Sequence, residues 1–526
     1  MPAPAQSQAS RSAHNPWAIA LTVTIATFME VMDTSIANVA LPHIAGGLSA
    51  AQDESTWVLT SYLVSNAVML PMSAWVSDRI GRKRFYMSSV ALFTISSLLC
   101  GLAPSLGMLV FFRVLQGIGG GGLAPSEQAI LADTFAPAKR GMAFAIYGMA
   151  VVLAPAIGPT LGGWITDHYS WRWIFYVNLP FGLLSLALTS LMVEDPPHMK
   201  KVQRQSQRAP VDFIGLVLVA TGLGTLQVVL DKGQRNDWFA SSFILVFTVT
   251  AICSLVAFVI WEWRQEHPIV HVRLFRNSSF AVANLLMLTL GIVLFGTTVL
   301  IPQFVQVELG YPAQKAGEVL SPGGLVILAL MPLVGFLVSR VDARYLIATG
   351  FLISSFAVFH MTNLNLGIDF RTAMIWRAYQ AAGMAFLFVP INTISYVDMP
   401  REASNQVSGM INLMRNLGGS IGISAVTGLL ARRTQAHQVY LSRNLFEDNP
   451  PLRQALDQMT AQFSTRIGPV EAMRQAYGRV YATVMRQASV LAYIDVLWIL
   501  GVMCLLAIGL LFFARKTKPG QAAMGH

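Results

Sequence analysis

Charge is scarce in this chain. Asp, Glu, Lys and Arg make up 12% of its 526 residues, about half of what a soluble domain carries. An ordinary solvated surface cannot be built from so few. Cysteine is nearly absent too, with Cys100, Cys253 and Cys504 the whole complement. All three fall in apolar stretches without metal-ligand spacing, so neither a disulfide framework nor a metal site is expected. The nine histidines form no cluster. Haem, iron–sulfur or nucleotide chemistry needs paired ligands or a cofactor motif, and neither occurs, so no cofactor is expected and the chain does not read as an enzyme. A cleavable signal peptide is not expected either, because the first apolar stretch is too long and lacks a cleavage site after it.

What the chain has instead is hydrophobic length. Apolar residues make up 54% of it and the mean hydropathy is +0.55. Runs long enough to cross a bilayer recur from one end to the other, which marks a multi-span membrane protein. They predict fourteen spans, near 17–41, 57–77, 86–103, 107–131, 141–166, 173–193, 212–230, 240–262, 279–301, 314–338, 345–364, 372–397, 405–430 and 490–514. Lys and Arg crowd the tails and short loops of one side, which places both termini in the cytoplasm. The long loop 431–489, exempt from that rule, is then periplasmic. Residues 1–14 and 515–526 read as cytoplasmic tails, the first of them disordered. The net charge of +10 follows from this topology and requires no nucleic-acid partner.

The two ends of the chain echo each other. Arg113-x-x-Gln116-Gly117 in span 4 returns as Arg377-x-x-Gln380, with Gly383 following, in span 12. Ser77-Asp78-Arg79 to Arg82 has a weaker partner in Ser339 to Arg344, and Gly162-Gly163 in Gly418-Gly419. Internal symmetry of this kind marks a transporter built from two bundles with its substrate between them. Six spans per bundle leave two over, inserted after the basic linker Lys200 to Arg208. The expected organisation is a six-helix bundle at 15–198, the linker and two inserted helices at 199–278, and a second six-helix bundle at 279–514 that includes loop 431–489.

Ionisable groups inside the membrane point to function. Glu30 and Asp33 lie one turn apart on one face of span 1. Two carboxylates that close in a low dielectric do not readily ionise together, which suits a proton carrier. The plainer alternative is a structural pair bonded to Thr34 or Ser35. Asp33 sits roughly 24 Å along span 1, past mid-membrane toward the outer half. Span 4 adds Arg113, a counter-ion or a fixed structural cation, and Glu127, which follows Pro125 in a glycine-rich, broken helix and is a second proton or substrate candidate. Arg377 and Asp495 near outer span ends read as snorkelling side chains. Arg415 also lies within a span. The short loop Asp78-Arg79-Ile80-Gly81-Arg82-Lys83-Arg84 is either a topology signal or an inner-gate latch, in which Asp78 meets an Arg or a helix end of the other bundle.

Span 5 holds Ala154-Pro155-Ala-Ile-Gly158-Pro159-Thr-Leu-Gly162-Gly163, with Gly148 upstream. Each proline removes a backbone donor, which lipid punishes. Such a span survives by close packing on a neighbour, for which the glycines at 158, 162 and 163 supply a flat face.

Taken together, these segments resemble a fourteen-span drug:proton antiporter of the major facilitator superfamily, EmrB type. The stretch Met32-Asp33-Thr34 to Pro42 carries the resemblance most specifically. The loop 78–84, Arg113 to Gly117, the antiporter run Pro155 to Gly163 and Trp171 to Pro180 support it. Ala154 and Ala74 stand where the family motifs usually have glycine. The resemblance implies an all-α integral membrane protein with the major facilitator fold. It implies proton-coupled efflux of lipophilic small molecules across the inner membrane, with protons as the coupling ion. In this branch it also implies a periplasmic membrane-fusion adaptor and an outer-membrane channel. A helical stripe of Val470, Met473, Tyr477, Val480, Tyr481, Val484 and Met485 either docks such an adaptor or covers the protein's own rim. A proton-coupled transporter of one metabolite remains the alternative. A structural scaffold would have no need of Glu30, Asp33 and Glu127 in hydrocarbon.

Overall fold

The computed structural model describes residues 15–516 except 444, 447 and 448. The expected tail 1–14 and residues 517–526 of the expected tail 515–526 lie outside the described residues. Among the described residues the chain is helical, with no strand. In lipid this is the economical solution, because a helix satisfies every backbone donor and acceptor within one segment.

The first half contains α1 (Pro16–Gly47), α2 (Trp57–Ile80), α3 (Arg82–Leu102), α4 (Leu106–Gly120), α5 (Leu123–Thr134), α6 (Pro137–His168) and α7 (Asn178–Met192). A linker helix α8 (Pro197–Arg208) leads to α9 (Phe213–Lys232) and α10 (Ser242–Arg264). The second half contains α11 (Ser278–Val307), α12 (Ser321–Val338), α13 (Ala343–Met361), α14 (Phe370–Ser395), α15 (Ser404–Ser442), α16 (Pro450–Ser464) and α17 (Pro469–Gly509). Side-chain caps fix several starts. Asn15 accepts from Trp17 ahead of Pro16, and Ser105, Asp212, Asn277, Asp342 and Asp369 do the same for α4, α9, α11, α13 and α14. Such caps satisfy the orphan N–H groups of a first turn.

Eleven helices among the described residues are long and apolar enough to cross a membrane. The expected spans at 57–77, 372–397 and 405–430 are also helical, as α2, α14 and α15, but are less apolar. They carry polar side chains that face other helices; α15 alone holds Asn405, Gln406, Asn412 and Arg415, all buried. The expected break in span 4 falls at Gly121 and Gly122, between α4 and α5.

The long connection 431–489 between the last two expected spans is itself largely helical. α15 runs on to Ser442, α16 fills 450–464 and α17 begins at Pro469, so most of that stretch is helix. A hydropathy reading ends a helix where its apolar residues end, whereas the backbone continues as long as propensity and packing allow. Leu456 of α16 and Ala472 and Ala476 of α17 are buried and hold this helical pair together.

Packing divides the molecule. α1 lies along α6 and α7, while α4 packs on α2 and α3. α11 lies along α15, and α14 packs on α12 and α13. The halves meet where α2 and α5 touch α15 and where α6 touches α12 and α14. α9 and α10 pair with each other; α9 leans on α2, and α10 turns Val246, Val249, Ile252, Val256 and Val259 outward, as a lipid-facing helix does.

Candidate functional site

Asp33 is the centre of a buried polar cluster where α1, α4 and α7 meet. Arg113 Nη1 donates to its Oδ2 at 2.6 Å. Gln116 Nε2 and Asn178 Nδ2 donate to its Oδ1 at 3.1 and 2.6 Å. Arg113 also donates to the Val58 carbonyl at 3.0 Å and lies 4.3 Å from the Tyr62 ring centroid. A buried ion pair repays its desolvation only when the remaining donors and acceptors are also met. Gln116, Asn178 and Val58 meet most of them.

Glu30 shares a helix face with Asp33 but not its partners. Tyr62 Oη and Asn66 Nδ2 donate to Glu30 Oε1 at 3.1 and 3.2 Å. Asn66 Oδ1 in turn accepts from Asn416 of α15 at 3.4 Å, so the ligands of Glu30 reach the other half. Glu127 lies nearer the 78–84 end. Thr24 Oγ1 donates to its Oε1 at 2.6 Å, while its Oε2 is buried without a hydrogen-bond partner among the described residues.

The second half sets a cation against this row. Arg415 of α15 donates to Tyr147 Oη at 2.8 Å and lies within electrostatic reach of both Glu30 and Glu127. Tyr147 Oη donates to Asn412 at 3.0 Å, and Asn412 donates to Gln128 at 2.9 Å. These bonds bind α5 and α6 to α15 at mid-molecule.

α6 stays one helix through Pro155 and Pro159. Pro159 has no N–H to give the Pro155 carbonyl one turn back. Ser35 Oγ of α1 donates to that carbonyl instead, at 3.4 Å. The approach that allows this depends on Gly158, where a Cβ would stand 2.6 Å from the Ser35 Cβ, and on Gly162, where it would stand 3.0 Å from Ile36. Gly163 differs from the expectation. A Cβ there meets nothing within 4 Å, because the residue points away from α1.

At the 78–84 end, Asp78 of α2 accepts from Asn405 Nδ2 at 2.5 Å. Asn405 is in the first turn of α15, where the helix dipole favours a carboxylate. Arg82 donates to Asp133 at 2.6 Å, to the Ala129 carbonyl at 3.1 Å and to Ser404 Oγ of α15 at 3.0 Å. Arg79 serves the linker instead, donating to the Ser206 and Ala209 carbonyls at 3.3 and 3.2 Å. Gly81 turns the chain between α2 and α3 at φ +96°, a conformation that strains any L side chain. Ala74 replaces a usual glycine, yet the packing remains close because Gly409 of α15 faces Leu70, Ser73 and Ala74.

Several contributors escaped the sequence reading. Asn178 lay inside the Trp171–Pro180 motif, but its partner Asp33 is 145 residues away. Nothing local marks Tyr147, whose partners Asn412 and Arg415 lie 265 and 268 residues away. Arg415 was visible as a cation in a span, but nothing local named its partners. Arg377 does not snorkel; it is buried and bonded to Thr297, Thr298 and Gln380. Asp495 is half-buried, with a ring nitrogen of His437 at 2.8 Å and Arg433 at 3.4 Å.

The family model described as Major Facilitator Superfamily matches residues 23–423. The multidrug export protein EmrB of Escherichia coli is 34% identical over 496 residues, 94% of each chain. The fatty acid resistance protein FarB of Neisseria gonorrhoeae is 36% identical across 84% of this chain and 86% of its own. Among solved structures, the proton:xylose symporter XylE matches with a TM-score of 0.57 at 16% identity, covering 96% of this chain and 97% of that one. That last likeness is one of fold.

Proposed function

Because this chain belongs to the major facilitator superfamily, we propose that it exports lipophilic drugs or toxic organic compounds across the inner membrane in exchange for protons. It is a multi-pass membrane protein of a transporter family. The observation that carries the coupling is the buried row Asp33, Glu30 and Glu127, faced by Arg113 from its own half and by Arg415 from the other. Carboxylates inside hydrocarbon are kept where they move charge. EmrB, at 34% identity over 94% of both chains, is named for multidrug export, and FarB for resistance to fatty acids, which supports lipophilic cargo.

In this reading fourteen helices span the membrane as two six-helix bundles at 15–198 and 279–514 with two inserted spans, and both termini are cytoplasmic. Hydrogen bonds joining the halves run along α15 from Ser404 at the 78–84 end to Asn416 near mid-molecule. That supports a state closed toward the cytoplasm. Protons reach Asp33 and Glu30 from outside and leave past Glu127 when the Asp78–Asn405 latch opens. Arg79, Gly81 and Arg82 keep the latch in register. The antiporter run, Pro155 to Gly163, holds α6 against α1 so that drug and proton occupancy are felt together. Val470, Met473, Tyr477 and Tyr481, exposed on α17, offer a periplasmic adaptor a docking stripe.

A drug-susceptibility panel on cells lacking and overproducing the protein tests this reading. Overproduction should raise tolerance to several unrelated lipophilic compounds, and deletion should lower it. Tolerance to none of them would refute drug export, and a change confined to one metabolite would favour the narrower transporter.

A further inference from the structure

The two halves repeat one arrangement with one substitution. The same offset of 264 residues relates Arg113 to Arg377, Gln116 to Gln380 and Asp33 to Thr297. In the first half, Arg113 Nη1 donates to Gln116 at 2.8 Å and to Asp33 at 2.6 Å, and Gln116 Nε2 donates to Asp33 at 3.1 Å. In the second, Arg377 Nη1 donates to Gln380 at 2.6 Å and to Thr297 at 3.0 Å, and Gln380 Nε2 donates to Thr297 at 2.8 Å. The hydrogen-bond pattern is preserved, but a hydroxyl stands where the first half has its carboxylate. Arg377 is a buried cation whose partners Thr297, Thr298 and Gln380 are all neutral. Among the described residues no ion pair joins Arg377 to a carboxylate, whereas Arg113 is paired with Asp33 at 2.6 Å.

Arg377 also differs from Arg113 in what lies beside it. It lines a cavity between α6 of the first half and α11, α12 and α14 of the second, with Val152, Pro155, Phe295, Thr298 and Ile327. Arg377 and Thr298 are the only polar side chains among the lining residues. Thr298 Oγ1 accepts from Arg377 Nη2 at 2.8 Å, so this edge of the guanidinium borders the cavity. Three of its five N–H groups are used, which leaves two for a ligand. Gly323 makes room for the side chain, since a Cβ there would stand 3.3 Å from Arg377 Cγ. A buried, planar fork without a counter-ion in an apolar chamber is built to take a carboxylate.

We propose that Arg377 and Thr298 form an anion subsite in this cavity, which binds the deprotonated acid group of amphipathic organic acids while their apolar part lies against the apolar wall. The ligand carboxylate supplies the charge that Asp33 supplies in the first half. The proposal rests on the efflux reading for its physiological meaning, but the binding itself can be measured apart from transport.

The test uses the purified full-length protein in lipid nanodiscs. Dodecanoate is the probe, and dodecyltrimethylammonium is the cationic control of equal chain length. Wild-type protein should bind both. Arg377→Gln should weaken dodecanoate about 10- to 100-fold, the range for losing a hydrogen bond to a charged group, and leave dodecyltrimethylammonium within a factor of two. Arg377→Lys, which keeps charge but not the fork, should fall between. Should Arg377→Gln fail to fold, Thr297→Asp serves instead. It neutralises Arg377 in a geometry the first half already adopts, and it should reduce dodecanoate binding at least tenfold while sparing the cation. Equal loss of both probes, or loss of neither in Arg377→Gln and Thr297→Asp alike, overturns the subsite. So does a wild-type protein that does not bind dodecanoate. Efflux is scored separately in cells, so resistance without dodecanoate binding sinks the subsite alone, and binding without resistance sinks the efflux reading alone.

Discussion

Arg113 is anchored four ways, by Asp33, Gln116, the Val58 carbonyl and the Tyr62 ring. Removing Asp33 alone leaves that cation uncompensated, at a cost of about 3–5 kcal/mol for a broken buried pair. Arg113→Gln should cost a similar amount, and the double variant Asp33→Asn with Arg113→Gln clearly less than the sum of the two. Thermal unfolding of detergent-purified variants measures this; strictly additive losses would mean that the pair is not coupled. Glu30→Gln should be milder, weakening export or narrowing the range of cationic drugs, because an amide can still accept from Tyr62 and Asn66. Growth on matched cationic and neutral drugs reads that difference. At this scale the sequence was most legible where a charge interrupts an apolar run, as at Asp33, Arg113 and Glu127. Asn178 and Tyr147 carry no charge, and their partners lie far along the chain, so nothing local marked them.

α6 shows how an element withstands residues that ought to break it. Pro159 frees the Pro155 carbonyl, Ser35 supplies the missing donor, and Gly158 allows the approach. Gly158→Ala should therefore cost about 1–3 kcal/mol by overpacking and impair transport, whereas Gly163→Ala should be neutral or mildly stabilising, since alanine is the better helix former. Equal melting temperatures for the two variants would show that α1 and α6 are not held by this contact. The glycine spacing announced a flat face; which of the three glycines forms it depended on the rotation of α6 about its axis, which spacing does not set. The latch is also element-level. Asp78→Asn removes the charge at the first turn of α15 but keeps the shape, so expression should hold while drug resistance falls. Unimpaired resistance would reduce the loop 78–84 to a topology signal.

Across the whole molecule, every expected apolar run falls on helix, with span 4 divided between α4 and α5, and the sequence echo at an offset near 260 residues puts Arg113 and Gln116 in the same relation as Arg377 and Gln380. The helices within 431–489 were less legible, because α15 continues past its apolar window and α17 begins well before its own. Topology is open to direct labelling. Single cysteines placed at 78–84 in a background without Cys100, Cys253 and Cys504 should react only from the cytoplasm, and cysteines near 450 only from the periplasm. Reaction near 450 from the inside alone would contradict the proposed orientation. Proton coupling through the first-half carboxylates is the claim on which the functional reading depends. Its direct measurement is drug-induced proton release from vesicles holding an imposed pH gradient. Wild-type protein should release protons on drug addition, and Asp33→Asn, assayed at matched folded amounts, should release none. Release by Asp33→Asn at the wild-type rate would contradict coupling at Asp33 and shift the proton site toward Glu127.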